Sequence, residues 1–403
     1  MAPAIDSEAI ERVFAWLVDG CRSAPEAIEV MTELCERLTA AGLPIARGAI
    51  FIRTLHPEIM GRRFLWRPGA GTEVSEAKYE FLKDVDYTAS PVVHVYATGA
   101  AIRRRLADPD CPMDFAILHD FRDQCLTDYL ALPLFYSNGE IHVASWSSAA
   151  PGGFTDAAVA ALERIAAPLA RVAEVRSLRR VATNLLDTYV GGHSGARILG
   201  GQYRRGDVET IRAAIWLSDM RGFTERADRM PGRDLIALLN RYFDCQVPAI
   251  REQGGEILKF MGDGLLAIFP IDATVPDTGG SDIGGVCGRA LSAARKAEAA
   301  VAEADWGGLE PKGAVRFGVA LHVGEVLYGN IGSVDRLDFT SIGPAVNLAA
   351  RIEKLSTEIG RTILASADFA AHCRDEIANG TLAPVGSFAL KGVAAEQLVY
   401  GVA

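Results

Sequence analysis

The order of apolar patterns in the second half of the chain constrains the fold more than any other feature. The segment IRAAIWLSD at 211–219 is an apolar strand that ends in a carboxylate, and a long amphipathic helix follows at 231–255. The segment 256–270 predicts a β-hairpin, and a polar, glycine-rich insertion at 272–285 precedes a helix at about 286–304 and a further long strand. This order predicts an α+β domain with a ferredoxin-like βαββαβ arrangement.

The first half of the chain has a different order of patterns. Helical periodicity covers residues 1–45, and a later helix begins with Thr155 as its N-cap and continues to about residue 190. Strand-like segments lie between these helices at 48–55, 62–68, 128–136 and 140–148. The last two of these segments flank a tight turn and predict a hairpin. We therefore expect a separate α/β domain before the ferredoxin-like one.

The helix that leaves this first domain carries a seam of apolar residues and then breaks. The seam consists of Leu169, Val172, Val175, Leu178, Val181 and Leu185. It suits a parallel coiled coil between two protomers, and equally a helix packed on its own domain. Pro168 predicts a kink, and the glycine-rich stretch at 191–201 predicts a break and a hinge. The predicted division is a first domain at 1–170, a helical linker and hinge at 171–206 and a last domain at 207–403.

Composition excludes several classes of protein. The net charge is -10 and the pI about 5.3, so the broadly basic surface of a nucleic-acid-binding protein is absent. The sequence contains no run of ~20 apolar residues, so we expect no membrane span. The N-terminus lacks the pattern of a signal peptide. The seven cysteines are scattered and form no Cys-x-x-Cys pair. We therefore expect reduced thiols, neither a disulfide framework nor a zinc site, and a cytoplasmic protein.

Two aspartates of the last domain are candidate metal ligands. Asp219 ends its first strand, Asp263 lies in the predicted hairpin turn, and the expected topology can bring these loop ends together. Carboxylates that converge on phosphate oxygens suit Mg²⁺ or Mn²⁺, and such a centre can clamp the attacking and leaving oxygens of an in-line displacement. A single Asp-Gly pair is more often only a turn, so the assignment depends on the surrounding motifs.

Four segments of the last domain resemble, in the same order, the motifs of the class III nucleotide cyclases. They are LSDMRGFT at 217–224, KFMGDG at 259–264, RLDFTSIGPAVNLAARIE at 336–353 and FALKGV at 388–393. Met220 stands where the family usually has isoleucine, which exchanges one apolar residue for another. The resemblance implies an adenylate cyclase, a phosphorus–oxygen lyase that converts ATP to 3′,5′-cyclic AMP and pyrophosphate with two divalent metal ions, Mg²⁺ or Mn²⁺.

The first two motifs of the family imply a metal and phosphate site. Asp219 and Asp263 would bind both metal ions, and the main-chain carbonyl of Met220 would also contact a metal. The backbone amides as far as Phe223 and Thr224 lie at a helix N-terminus, where exposed N–H groups and the helix dipole favour phosphate oxygens.

The later motifs imply residues that act on the sugar and the phosphates. Asn347 would orient the ribose, and Arg351, four residues further along the same helix face, would stabilise charge on the α-phosphoryl group. The alternative for Arg351 is a surface salt bridge with Glu353 or Glu358. Lys391 would contact the terminal phosphates, and the alternative is a solvated lysine at the end of a strand.

Two residues of the resemblance predict the base. Lys259 can donate to adenine N1, and Asp338 can accept from the adenine 6-amino group, with Thr340 assisting it. Guanine presents the opposite polarity at both positions, and mismatched polar groups reject an analogue. The guanylate branch usually has glutamate and cysteine or serine here, so ATP is the predicted substrate. The alternatives are a guanylate or dual-specificity purine cyclase, or a catalytically silent nucleotide-binding module.

The resemblance also implies an assembly and a mode of regulation. The active site of this family lies between two catalytic domains, so a chain with one complete set of residues implies a head-to-tail homodimer with two equivalent sites. The first domain resembles a GAF-type sensory domain, and the alternative is an unrelated α+β regulatory domain. It would regulate catalysis through the linker in response to a small molecule or signal that the sequence does not identify.

Overall fold

The computed structural model describes residues 5–56, 59–271 and 283–402, so most of the predicted insertion at 272–285 lies outside the described residues. The chain forms two compact units, the first ending at Leu185 and the second beginning at Leu186. Within the described ranges, no helix has the length and apolar composition needed to cross a membrane.

The first unit is built around one six-stranded antiparallel sheet. Its helices are α1 (Ser7–Val18), α2 (Ala27–Ala40), α3 (Val85–Thr88), α4 (Pro91–Thr98), α5 (Ile117–Asp123) and α6 (Asp156–Tyr189), with a 3-10 helix at Tyr79–Lys83. Its strands are β1 (Arg47–Arg53), β2 (Ile59–Arg67), β3 (Gly71–Lys78), β4 (Ile102–Arg104), β5 (Asp128–Phe135) and β6 (Ile141–Ser148). The strand order is β3-β2-β1-β6-β5-β4.

Both faces of this sheet are covered, because successive side chains of a strand point to opposite sides. Leu130 and Leu132 of β5 join the core beneath α1, α2 and α6. Tyr129 and Ala131 of the same strand join a smaller core beneath α4 and α5. The predicted hairpin is confirmed, since β5 and β6 pair along their whole length around the turn that contains Gly139.

The exit helix α6 begins where the sequence predicted. The Ala158 amide donates to Thr155 Oγ1 at 3.2 Å, which is the expected N-cap bond. The helix continues through Pro168 to Tyr189. The early seam residues Leu169 and Val172 are buried, whereas Val175 and Leu178 are 66% and 60% exposed. The first part of the seam therefore packs on its own domain, and the later part faces solvent in a single chain.

The second unit contains the remaining elements. Its helices are α7 (Gly192–Leu199), α8 (Phe223–Arg229), α9 (Gly232–Glu252), α10 (Ile283–Glu303), α11 (Pro344–Ile359), α12 (Ala367–Ala370) and α13 (Arg374–Ala378). Its strands are β7 (Val208–Met220), β8 (Glu256–Met261), β9 (Gly264–Ile271), β10 (Phe317–Gly332), β11 (Leu337–Ile342), β12 (Ile363–Ser366), β13 (Leu382–Phe388) and β14 (Gln397–Val402).

The sheet of the second unit confirms the predicted α+β class. Its strand order is β13-β14-β12-β10-β7-β9-β8, and β11 pairs with the far part of β10. Within it, β10-β7-β9-β8 are mutually antiparallel neighbours, which is the order that a β7-α9-β8-β9-α10-β10 succession gives in a ferredoxin-like fold. Trp216 faces the core shared with α9 and α10, and Ile215 faces the core beneath α11.

The glycine-rich stretch at 191–201 differs in part from the prediction of a break and a hinge. The predicted break is present, since α6 ends at Tyr189 and Gly191 has φ +94°. The stretch is nevertheless mostly the helix α7. Its first turn is anchored by Glu256 of β8, which accepts bonds from the Ser194 amide at 3.0 Å and the Ser194 hydroxyl at 2.6 Å. A tertiary contact therefore stabilises a helix that its glycine content disfavours.

Candidate active site

The two predicted metal ligands lie side by side. Asp219 is next to the last residue of β7, and Asp263 lies in the two-residue turn between β8 and β9, where Gly262 adopts φ +66°. The two carboxyl groups lie close enough for the charge of one to affect the other. Gly264 leaves room for them, since a Cβ at this position would lie 3.3 Å from Asp219 Oδ1. Strand pairing and a tight turn thus join two acids that are distant in sequence.

The electrostatics of this pair suit a divalent cation. Burial, followed by the negative charge of Asp263, raises the pKa of Asp219 to about 7. Two adjacent carboxylates resist ionising together unless a cation neutralises them. Within the described part of the chain, no group of three or more His, Cys, Asp and Glu side chains could hold a metal. A pair of carboxylates fits Mg²⁺ or Mn²⁺, which bind through one or two carboxylates and take further oxygens from phosphates.

Glu353 is a third acid near this pair that the sequence analysis considered only as a partner for Arg351. It is 8% exposed on α11, and burial raises its pKa. Its Oε1 would lie 2.8 Å from a Cβ at Gly318, which is directly opposite Asp219 in the sheet. Glu353 therefore adds negative charge beside the aspartates. The sequence contained one sign of this position. Glu353 follows Arg351 by two residues, and residues two apart do not share a helix face, so Glu353 points away from Arg351.

The predicted phosphate loop joins β7 to α8. Met220 is buried in the core opposite Phe317, and Gly222 has φ +69° immediately before α8. Phe223 is partly buried and Thr224 is exposed at the start of α8. Arg221 anchors the loop to the end of α11. Its guanidinium donates to the Ser356 carbonyl at 2.7 Å and to the Arg361 carbonyl. This anchor to the end of α11 was not predicted.

The structure brings together the two residues predicted to select the base. Lys259 of β8 and Asp338 of β11 are 79 residues apart in sequence, yet Lys259 Nζ lies 2.5 Å from Asp338 Oδ2. The hydrogen bond from Lys259 lowers the pKa of Asp338. Both side chains are partly exposed, at 43% and 39%. Thr340 lies two residues further along β11 and is buried.

A cavity of about 460 Å³ borders this ion pair. Lys259, Asp338 and Phe339 line one part of it, and the segment 187–191 at the end of α6 lines another. The volume is within the range of small-molecule sites. The segment 187–191 belongs to the predicted linker, and its position in a cavity wall was not predicted from the sequence.

The residues predicted to act on the ribose and phosphates lie on α11 and on the loop after β13. Asn347 is exposed on α11, and the half-buried Arg351 lies against Gly392, where a Cβ would come 3.3 Å from its Nη2. Gly392 has φ +74°, and its neighbour Lys391 is exposed. Among the residues that the structure describes, neither Arg351 nor Lys391 forms an ion pair, so both guanidinium and ammonium groups are available to an anion.

These residues form two groups on different sides of α11. Glu353 is directed towards Asp219, whereas Arg351, two residues earlier, leads away towards Gly392. A step of two residues turns a helix by about 200°. The acids and the Asn347–Arg351 pair therefore belong to different faces of one chain.

Comparison with known proteins places this domain in a family. Residues 208–400 match the family described as the adenylate and guanylate cyclase catalytic domain. Adenylate cyclase 1 of Rhizobium meliloti (strain 1021) is 30% identical over 211 residues, which are 52% of this chain and 29% of that protein. The adenylate cyclase of Anabaena cylindrica is 34% identical over 164 residues, 40% of this chain and 30% of that protein. The chain thus spans less than a third of the length of either relative.

Solved structures include a similar protein of the other purine type. The crystal structure of the guanylyl cyclase Cya2 is 28% identical, with a TM-score of 0.40, and the match covers 49% of this chain and 93% of that one. Proteins named adenylate cyclase and guanylyl cyclase are therefore both similar to this chain. Residues 208–400 are thus similar to the catalytic domain of the adenylate and guanylate cyclases.

Proposed function

We propose that this protein is an adenylate cyclase, which converts ATP to 3′,5′-cyclic AMP and pyrophosphate. The observation that carries the proposal is the pairing of Lys259 with Asp338 at the edge of a cavity. The pair offers one donor and one acceptor side by side. Adenine presents the complementary acceptor at N1 and donor at its 6-amino group, whereas guanine would meet donor with donor and acceptor with acceptor. Each unpaired buried polar group costs about 1–3 kcal/mol.

The reaction is intramolecular, so the protein acts mainly by positioning and by electrostatics. The ribose 3′-hydroxyl attacks the α-phosphorus, and pyrophosphate leaves. Asn347 holds the ribose, Arg351 donates to the α-phosphoryl oxygens, and Lys391 holds the terminal phosphates. The availability of the last two cations supports these roles. The backbone amides of the loop between Met220 and Thr224 would hold phosphate oxygens.

Asp219 and Asp263 would hold two divalent cations, which neutralise the triphosphate and favour ionisation of the 3′-hydroxyl. The raised pKa of Asp219 supports this assignment, because it marks a pair of carboxylates that lacks a compensating charge. Glu353 would strengthen the negative field behind the pair, and Arg221 would keep the adjacent loop fixed to α11.

The catalytically competent form would be a head-to-tail homodimer. Asp219 and Asp263 lie on the side of α11 that Glu353 faces, whereas Arg351 leads towards Gly392, and this separation supports a site built from two copies. A two-fold arrangement would bring the acids of each protomer against the ribose and base residues of its partner and create two equivalent sites. The exposed later seam of α6, including Val175 and Leu178, supports a parallel contact between two copies of this helix.

The first unit would regulate the cyclase domain. We assign it as a GAF-type sensory domain, followed by a linker at 171–206 and the catalytic domain at 207–403. The support for regulation is that α6 begins in the first unit, and that its end at 187–191 lines the cavity beside Lys259 and Asp338. A shift of α6 would change the wall of the proposed base site.

The test compares turnover of ATP and GTP by the full chain with Mg²⁺ and with Mn²⁺. We expect cyclic AMP as the main product, and we expect the double variant K259E/D338C to change the ratio of kcat/KM for GTP to that for ATP by about 10²-fold in favour of GTP. The variant K296E, which reverses an exposed lysine on α10, is the matched control and should leave the ratio unchanged. A wild-type preference for GTP would defeat the assignment, and no cyclic nucleotide from either substrate would favour a silent module.

A further inference from the structure

The first unit contains a cavity of about 610 Å³ on the sheet face beneath α4 and α5. Strands β1, β2 and β3 form its floor, and α4, α5 and the 3-10 helix lie around it. Aromatic side chains make up much of its lining: Phe51, Phe81, Tyr87, Tyr96, Phe121 and Tyr129. A cavity of this size and composition suits a small molecule with a flat apolar body.

One wall of the cavity carries a buried arginine without a counter-ion. Arg47 begins β1 and is 8% exposed. Among the described residues it has no carboxylate partner, and its hydrogen bond to Ser145 Oγ is long, at 3.4 Å. Burial lowers its pKa to about 10, with Tyr129 opposing the shift and the like charges of Arg63 and Arg67 contributing to it. Stacking on Phe121, with 5.0 Å to the ring centroid, compensates only part of this cost.

Other polar groups on the same face also lack partners. Arg63 of β2 lines the cavity opposite Phe51, and its Nε is buried without a hydrogen-bond partner in the described structure. Ser147 of β6 is directly opposite Arg47, and its hydroxyl is likewise buried and unpaired. Buried polar atoms are almost always satisfied in proteins, so these two unpaired atoms, together with the weakly bonded Arg47, point to a missing partner.

The acids around the cavity do not supply that partner. Glu76 is engaged by Arg62, with 2.5 Å between Arg62 Nη2 and Glu76 Oε1. Asp84 and Asp120 line the cavity with exposed side chains. The buried inner wall is therefore positive, whereas the negative charges lie towards solvent or are already paired.

We propose that this cavity binds a planar organic anion, a small aromatic carboxylate or phosphate ester. Its acid group pairs with Arg47 and Arg63, and its ring packs among Phe51, Tyr96 and Phe121. Arginine suits this role because its planar fork donates to two oxygens of one acid group. The site is independent of the cyclase chemistry, since all of its residues belong to the first unit.

The first test needs no ligand. Replacing a buried, uncompensated charge by an apolar side chain of similar length stabilises a protein, so the variant R47M should raise the Tm of the dialysed protein by ~2–6 °C. The control R122M removes an exposed arginine on α5 and should leave Tm unchanged. A fall in Tm for R47M would overturn the proposal, because it would show that Arg47 stabilises the fold without a ligand.

The second test measures binding with defined probes. We expect benzoate, indole-3-carboxylate or phenyl phosphate to raise the Tm of the wild type and of R122M but not of R47M. The carboxylates and the phosphate ester separate the two possible acid groups. Benzamide lacks the charge and inorganic phosphate lacks the ring, so neither should act. Failure of all three aromatic anions, or an equal effect of benzamide, would overturn the proposal.

Discussion

At the scale of single residues, the acids at the end of β7 determine how this domain responds to pH. Asp219 and Asp263 share a site with too much negative charge for both to ionise easily, and the buried Glu353 adds to it. Such a site is destabilising when empty and favourable when it holds a cation. The same residues therefore link metal binding, proton binding and stability.

The first prediction concerns the protein in EDTA. The pKa of Asp219 is about 7 when folded and 3.8 in the reference state, so the folded protein binds more protons between these values. Stability therefore decreases as pH rises from about 4 to 7. The variant D219N cannot ionise there and should lose less stability over this window, as measured by urea unfolding at several pH values. The exposed variant D228N should behave as the wild type, and equal slopes for wild type and D219N would contradict the prediction.

At the scale of elements, the sequence predicted what depends on local pattern and failed where tertiary contacts decide. Asp263 was assigned to a hairpin turn because Gly-Asp-Gly is a local signal, and the helix bearing Asn347 and Arg351 was placed by the family resemblance. The helix α7 was not predicted, because its glycines disfavour a helix until Glu256 anchors Ser194. The position of Glu353 was not predicted, because it depends on how α11 packs over β10.

The second prediction tests that anchor. Glu256 accepts bonds from Ser194 and from Tyr328 Oη, the latter at 2.7 Å, and all three groups are buried. The variant E256A removes the buried acceptor that these donors share and should lower the free energy of unfolding by at least ~2 kcal/mol. The measurement is urea unfolding, with E252A as the control, since Glu252 is an exposed residue of α9. A loss equal to that of E252A would show that α7 does not depend on this contact.

At the scale of the whole molecule, the proposed head-to-tail homodimer would divide each active site between two copies of the chain. The third prediction is that D219A and R351A, each inactive alone, regain activity when mixed. A mixed dimer would have one site with both defects and one intact site. Equal mixing should restore about a quarter of wild-type activity, because about half of the dimers are mixed and each has one working site.

The measurement is cyclic AMP formation after the two variants are unfolded together and refolded. A mixture of D219A with D263A is the control, because both changes affect the same half of the site and no intact site can form. Recovery in this control, or full activity of D219A alone, would contradict the proposed arrangement of the homodimer.

The ion pair between Lys259 and Asp338 has a consequence for ligand binding at the proposed base site. Without a ligand, Lys259 and Asp338 neutralise each other. A ligand that binds both side chains must therefore replace their ion pair with its own hydrogen bonds. A ligand that bonds only to Lys259 leaves Asp338 without its partner. A ligand that bonds only to Asp338 leaves Lys259 without its partner. Under the proposed function, a base with both complementary groups at the right separation would bind best, so selection would begin at binding and before the chemical step.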